Sequence, residues 1–484
     1  MKKTLSTLVL VSVLSATALV GCGGNGGDDY NLPEVNIVSL DTLEATTTTI
    51  KFWHPFGSST EAALQNVVAD FETAYPYIDV ELETKGGYDN LKQAVTLEIP
   101  TGNTPNVVLG YPDHFAEYLA GEVLVPLNDF IEAKDSEIGL DDFDDIYANY
   151  MVENQQFYEG YTFGLPFNKS TEVLTYNKTF FDAHNLEVPE TWAEYRSVSE
   201  QILTIVEDVL NSATKIDAAS GLDFSGVTLD AFYPASYDSA ANMLITITRQ
   251  WGGEYTSVGE TFEKGKILFD NDKTKEAVQF FKDMYEDHLF ATPATWEQDY
   301  ASNVFVVLGT MMSVGSSAGV TYNVPSGDLF EVGVAKIPYY EADKAAVIQQ
   351  GTNIAMLANG TDNQKLASWL LIKYLTSTEG NTQFAIDSGY LPVRKSGTES
   401  AAYQALMDST GITNASDLVK IASKKVAPSY FEGSVKFTAF TDSAFIGSSD
   451  VRTVIGNVIP AVTEGEKTVD QAIAEAVAQL PNYK

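Results

Sequence analysis

The sequence predicts an α/β fold of two lobes with a ligand cleft between them. Three observations carry that prediction. Strand-like and helix-like segments alternate from "TIKFWHPF" onward, as they do where helices cover a largely parallel sheet. The alternation restarts near Tyr161, after a first run has accounted for one lobe. The chain, at 484 residues, is long for a single core, and no internal repeat is visible.

Each element has its own warrant. "TIKFWHPF" reads as a buried strand. In "SSTEAALQNVVADFETAYP" a capping box, Ser58 with Glu61, precedes Leu64, Val67, Val68 and Phe71 at helical spacing, and Pro76 marks the stop. "IDVELET" alternates Ile78, Val80 and Leu82 as a half-buried strand does. A turn at Gly86-Gly87-Tyr88 leads into a helix near Asp89; "PNVVLG" is the next strand and "DHFAEYLAG" the next helix. Past Tyr161, strands are expected around Phe163 and Val173, then helices at "VPETWAEY" and "NDKTKEAVQFFKDMY", which carry breaker and cap signals. The last third is helix-rich, with "QKLASWLLIKYL", "SSDVRTVIGNVIPAV" and "TVDQAIAEAVAQL". Loops at the C-terminal ends of strands would line the cleft, where open α/β sheets hold small molecules.

Charge and termini narrow the class. A formal charge of −37 repels phosphate backbones and anionic headgroups, which argues against nucleic acid as a partner. Lys2 and Lys3 precede an apolar run from Leu5 to Val20, short of the ~20 residues of a comfortable span. It ends in Leu19-Val20-Gly21-Cys22, so residues 1–22 read as an export signal closed by a lipobox-like cysteine. Cys22 is the only cysteine, which leaves no disulfide framework and one thiol for lipidation. Residues 23–48, opening "GGNGGDDYNLPE", have the composition of a flexible tether. The mature protein is expected outside the cytoplasmic membrane, lipid-anchored to it through Cys22. Residues 49–484 form the folded part, with one lobe over about 49–162 plus 305–355 and the other over about 163–304 plus 356–484.

Chemistry is sparsely signalled. "GSSAG" fits G-x-S-x-G around Ser317, but a hydrolase elbow needs its histidine later in the chain, and His54, His114, His184 and His288 all precede it. No metal motif occurs, and "DDFDD" lacks the glycine and spacing of a calcium loop, so a solvated acidic face is the simpler account. No catalytic residue, cofactor or metal is therefore expected. What remains is a set of turn-adjacent tyrosines, Tyr88, Tyr111, Tyr176, Tyr237 and Tyr390, each offering an apolar face and a hydroxyl to a polyol or simply plugging a lobe surface. Only four arginines, Arg196, Arg249, Arg394 and Arg452, can present a guanidinium fork to an anion.

Seven blocks together resemble the family 1 extracellular solute-binding proteins of ABC importers: "FWHPF", "KGGYDNLKQAV", "TPNVVLGYPDHFAEYLA", "GLPFNKSTEVLTYNKTFF", "VPETWAEY", "GTMMSVGSSAG" and "GYLPVR". The likeness is to the glycerol-3-phosphate-binding branch, and it runs in order from about Ile50 to the C-terminal helices. It implies a periplasmic-binding-protein-like fold of type II, closing on one solute and delivering it to permease subunits as a monomer, without chemistry. The family's site falls on Tyr88, Asp113, Ser170, Ser316 (or Ser317 one residue on), Gly351, Tyr390 and Arg452, the last as the phosphate contact. A tryptophan that walls the glycerol moiety in the family has no counterpart here; Tyr233 or Tyr237 stands in that region, and Tyr237 joins the expected set. The implied solute is glycerol 3-phosphate or a glycerophosphodiester, with a neutral sugar or oligosaccharide as the alternative. Arg394 serves as the expected control for Arg452.

Overall fold

Ten strands join into one mixed sheet, and two more form a separate hairpin, among the described residues. In chain order they are β1 (Thr48–His54), β2 (Ile78–Thr84), β3 (Val107–Gly110), β4 (Leu165–Asn177), β5 (Ala235–Tyr237), β6 (Thr256–Val258), β7 (Gly265–Ile267), β8 (Phe290–Ala291), β9 (Met312–Ser316), β10 (Val332–Ala335), β11 (Ala346–Met356) and β12 (Thr438–Phe440). The computed structural model describes residues 31–465 and 467–483. The expected export signal, the lipobox with Cys22 and the first part of the tether lie outside the described residues.

The sheet has a parallel half, β2-β1-β3, as the alternation of elements predicts. Two long strands then break the parallel pattern. The end of β11 runs antiparallel to β3 and its middle antiparallel to the start of β4. The end of β4 runs antiparallel to β9 and β10, and β5 lies parallel to β8 and β9. β4 and β11 therefore cross from one half of the sheet to the other, and each half carries its own helices. The helices Ser58–Ala74, Asp362–Leu375 and Thr378–Asp387 gather on the first half. The second half lies in a large apolar core with Trp192, Tyr195, Met243, Leu244, Phe281, Val451 and Ile455.

Four details differ from the sequence reading. β9 and β10, inside the 305–355 segment expected in the first lobe, pair with β4 and β5 of the second half. Helices Asp362–Leu375 and Thr378–Asp387, expected in the second lobe, pack instead on β1 and the Ser58–Ala74 helix. The reason is that β11 is itself a crossing strand, so the chain enters the first half at its end rather than leaving it. The tether is also shorter than 23–48: the Leu40–Glu44 helix, capped by Ser39, buries Leu43 completely. Lys365 Nζ donates to Glu34 O at 2.9 Å and Asn36 Nδ2 to Asp362 at 2.8 Å, which ties this stretch down. The capping box at Ser58 does not form, because Gly57 is the N-cap and Ser58 itself sits at φ +51°. The cap of "VPETWAEY" does form, with Thr191 and Glu194 exchanging both bonds.

Candidate functional site

The crossing strands floor a cavity of about 70 Å³ lined by Tyr111, Asp113, Glu153, Asn242, Gln349, Gln350, Gly351, Asp442 and Arg452 among others. Asp113 arrives from the first half. Pro112 opens the Pro112–Ala120 helix, where its missing N–H costs nothing, and Asp113 follows in the first turn, where a carboxylate suits the helix dipole. Gly351 comes from β11, opposite Lys169 of β4. Its φ is +90°, and a Cβ there would lie 1.8 Å from Asn168 O, so no other residue lets the two crossing strands approach as they do. Arg452 comes from the second half on the Ser448–Ile455 helix.

Four further expected residues stand beside this cavity. The hydroxyls of Tyr88 and Tyr390 lie 3.0 Å apart, and Asn168 Nδ2 donates to Tyr88 at 3.1 Å. The Tyr88 ring packs on Tyr111 at 4.9 Å between centroids, which connects the pair to the cavity wall. Ser170 pairs in register with Gln350, and Ser316 Oγ donates to Ser170 Oγ at 3.4 Å. Ser316, half-buried, is the more accessible of the two serines: Ser317 is fully buried and its Oγ accepts the Thr171 N–H at 3.1 Å. Among the described residues no histidine is bonded to Ser317; His184 is bonded to Asp217, and His288 to Leu229 O. Ser317 is thus a strand-pinning residue in this structure.

Tyr237 is the expected residue that the structure removes from the set. It is fully buried in the second lobe, its hydroxyl donating to Glu172 Oε2 at 2.6 Å and its ring stacked on Trp192. Tyr233 stacks on Tyr285, 5.5 Å between centroids, and does not line the cavity either. The aromatic wall is Tyr111's.

Sequence reasoning missed the polar frame. Glu153 Oε2 accepts from Lys169 Nζ at 2.5 Å and from Asn353 at 3.0 Å, while its other oxygen accepts from Gln349. Burial lowers the Lys169 pKa, with Glu153 opposing. Lys169 is in the quoted "GLPFNKSTEVLTYNKTFF" block and Gln349 and Gln350 directly precede the expected Gly351, so sequence position could have flagged them; Asn242 and Asp442 lie in no quoted block. Asp442 Oδ2 accepts from Arg452 Nη1 at 2.9 Å, and Asn242 Oδ1 accepts from Nη2 at 2.6 Å. Burial works against the charged guanidinium, but Asp442, Asp113 and Tyr255 outweigh it and hold Arg452 firmly protonated. The acidic "DDFDD" run is also employed: Asp142 and Asp145 pair with Arg394 at 3.0 and 3.6 Å. Among the described residues no cluster of His, Cys, Asp and Glu could hold a metal ion.

Two α/β halves joined by crossing strands, with polar groups from both converging between them, define a protein built to close on a small molecule. Residues 66–409 match the bacterial extracellular solute-binding proteins, and the chain belongs to that family. It is therefore the solute-binding component of an ABC importer, acting outside the cytoplasm. The sn-glycerol-3-phosphate-binding periplasmic protein UgpB of Salmonella typhimurium is 23% identical over 439 residues, 89% of this chain and 91% of that one. UgpB of Mycobacterium tuberculosis, solved with glycerophosphocholine, superposes with a TM-score of 0.70 at 18% identity, covering 90% of this chain and 98% of that one. The GacH receptor of Streptomyces glaucescens, solved unliganded and with acarbose, gives 0.67 at 19% identity, covering 90% and 99%. No helix among the described residues is long and apolar enough to cross a membrane.

Proposed function

We propose that the protein captures a phosphorylated polyol, glycerol 3-phosphate or a glycerophosphodiester, and passes it unaltered to its permease. The convergence of Arg452, Gly351 and Asp113 on one cavity carries this reading. Arg452 retains N–H donors beyond the two used by Asp442 and Asn242, and these suit phosphate oxygens. Asp113 accepts from glycerol hydroxyls, and Tyr88, Tyr390, Ser170 and Ser316 supply further hydroxyl partners. A second reading, a neutral sugar or oligosaccharide, is favoured by the three carboxylates Asp113, Glu153 and Asp442 in the lining and by neighbours that bind sugars. Calorimetry with glycerol 3-phosphate, a glycerophosphodiester, maltose and maltotriose separates them. Binding of the phosphorylated solutes with recovery of intact ligand supports the first reading; binding of the sugars alone establishes the second, and a hydrolysed product overturns both.

The anchor belongs to the same proposal. Acylation of Cys22 would hold a monomeric protein beside its permease, since two or three chains anchor stably where one is marginal. Cys22→Ser is expected to free the protein from membranes or leave it unprocessed; unchanged membrane association at unchanged mature mass would refute the anchor.

A further inference from the structure

The cavity already holds an anion, and that anion is part of the protein. Asp442 Oδ2 takes the Arg452 Nη1 hydrogen bond at 2.9 Å and its Oδ1 takes the Ser443 N–H at 3.0 Å. Asn242 Oδ1 holds Nη2, so both terminal nitrogens of the guanidinium are engaged. Little water screens the pair: the two side chains are 29% and 19% exposed. Asp442 faces Arg452 on the Ser448–Ile455 helix, Arg249 on the Ala240–Gln250 helix, Asp113 on the Pro112–Ala120 helix, and Tyr255. Glu153 lines the same cavity but is committed to Lys169 and Asn353. Arg249 is a further cation whose charge acts on Asp442. It lies 4.4 Å over the Phe440 ring, and its Nε has no hydrogen-bond partner.

We infer that Asp442 is the specificity-determining residue of this cleft: its carboxylate shares the Arg452 fork with the N–H donors left for a solute, and an anionic solute using those donors binds tightly only by displacing or neutralising it. The inference rests on the reading that Arg452 takes the solute's anion. A phosphate brought to the same guanidinium sits within a few ångströms of Asp442, where like charges in a screened-off site repel strongly. The carboxylate has two ways out. It can turn toward Arg249, or it can take up a proton, which burial already favours while Arg452 opposes. A neutral sugar imposes neither demand. Asp442 thus sets the balance between the two solute classes that this fold accommodates.

The test uses a solute whose own charge is constant near neutrality. Glycerophosphoglycerol, a phosphodiester, and maltose are titrated into wild type, Asp442→Asn and Asn242→Asp at about pH 6 and about pH 8, in buffers of different ionisation heat. Wild type should bind the diester with net proton uptake and more tightly at the lower pH, because the complex holds the proton better than the free protein. Asp442→Asn should bind it about ten-fold or more tightly than wild type at the higher pH, and without that uptake. Asn242→Asp, which adds a second carboxylate to the same fork, should weaken diester binding about ten-fold. Maltose binding, where measurable, should carry no net proton uptake in any of the three proteins. Diester affinity that is unchanged or lower in Asp442→Asn, or undiminished proton uptake, overturns the inference while leaving the phosphate reading intact. Diester binding by Asp442→Asn alone sustains the inference and overturns the phosphate reading for wild type. Binding by neither overturns both. Should Asp442→Asn not fold, an unchanged diester affinity in Asn242→Asp overturns the inference by itself.

Discussion

Arg452 and Arg394 show how two arginines of similar sequence context come to opposite uses. Arg452 ends in a cavity with donors to spare, so Arg452→Ala should weaken a phosphorylated solute by ~2–5 kcal/mol, ~30-fold to several thousandfold, measured by calorimetry. Arg394 is 1% exposed, paired with Asp142 and Asp145 and bonded through Nε to Thr376 O at 2.5 Å. It is therefore unsuitable as a control; its truncation should cost stability, about 3 kcal/mol or more, rather than affinity. Arg196, half-exposed and paired with Glu200 and Asp287, is the better one. Glu172 makes a pH prediction. Burial raises its pKa to about 7, against hydrogen bonds from Tyr237 and Thr246 that lower it. The folded protein thus holds this proton more tightly than the unfolded chain does. The associated stability is complete below the ordinary carboxylate range and is lost as pH rises through about 7, by at most about 3 kcal/mol. Chemical denaturation from pH 4.5 to 8 should show that decline, and Glu172→Gln should flatten it; an identical slope in the variant would remove Glu172 as the cause. Lys424, lowered to about 7 by burial, acts in the opposite direction and at higher pH.

At the scale of elements, local pattern was legible and long-range pairing was not. Leu64, Val67, Val68 and Phe71 are all buried as their spacing required, and β2 alternates as "IDVELET" implied. Those signals live within one element. The crossing of β4 and β11 is a pairing between residues about 180 apart, and nothing in either strand's own sequence says that its two ends serve different halves of the sheet. That is why the lobe boundaries near β9 and β11 were misplaced. The site divides the same way. Asp113, Gly351 and Arg452 were reachable through motif resemblance, whereas Asn242 and Asp442 become site residues only when the second half folds against the first. Tyr237 was misread because a turn-adjacent tyrosine looks the same whether its hydroxyl meets a ligand or a buried carboxylate such as Glu172. Gly351 joins both levels. With φ at +90° and Asn168 O where a Cβ would stand, Gly351→Ala must push the crossing strands apart, at a cost of about 3 kcal/mol or more. Thermal unfolding should register the loss, and the remaining folded protein should bind solute poorly because the cavity floor has moved. Near-wild-type stability together with near-wild-type affinity would show that the strand contact is not needed.

At the scale of the molecule the two halves meet beside the cavity through aromatic and polar contacts: Phe157 and Tyr158 pack edge-on against Phe262 of the β6-β7 hairpin, and a polar latch joins the helices. Gly447 N donates to Glu117 Oε1 at 2.8 Å, Lys92 Nζ reaches Ser449 Oγ, and Lys92 lies 3.8 Å from Asp450. All three connect helices of the first half, Tyr88–Glu98 and Pro112–Ala120, to the segment that opens the Ser448–Ile455 helix bearing Arg452. Exposed or half-exposed bonds of this kind contribute about 1 kcal/mol each, too little to hold a closed state alone but enough to bias a hinge. A solute gripped by Asp113 on one side and Arg452 on the other adds its own bridge across the same gap, the motion known for binding proteins of two lobes. Closure should therefore depend on the latch and the solute together. Small-angle scattering should find wild type compacting when solute is added. Lys92→Ala with Glu117→Ala should leave the ligand-free protein more open and weaken binding about ten-fold, while saturating solute still drives compaction. If the double variant binds with wild-type affinity and its ligand-free scattering is unchanged, these contacts merely touch across the cleft, and closure is governed by the crossing strands and the solute alone.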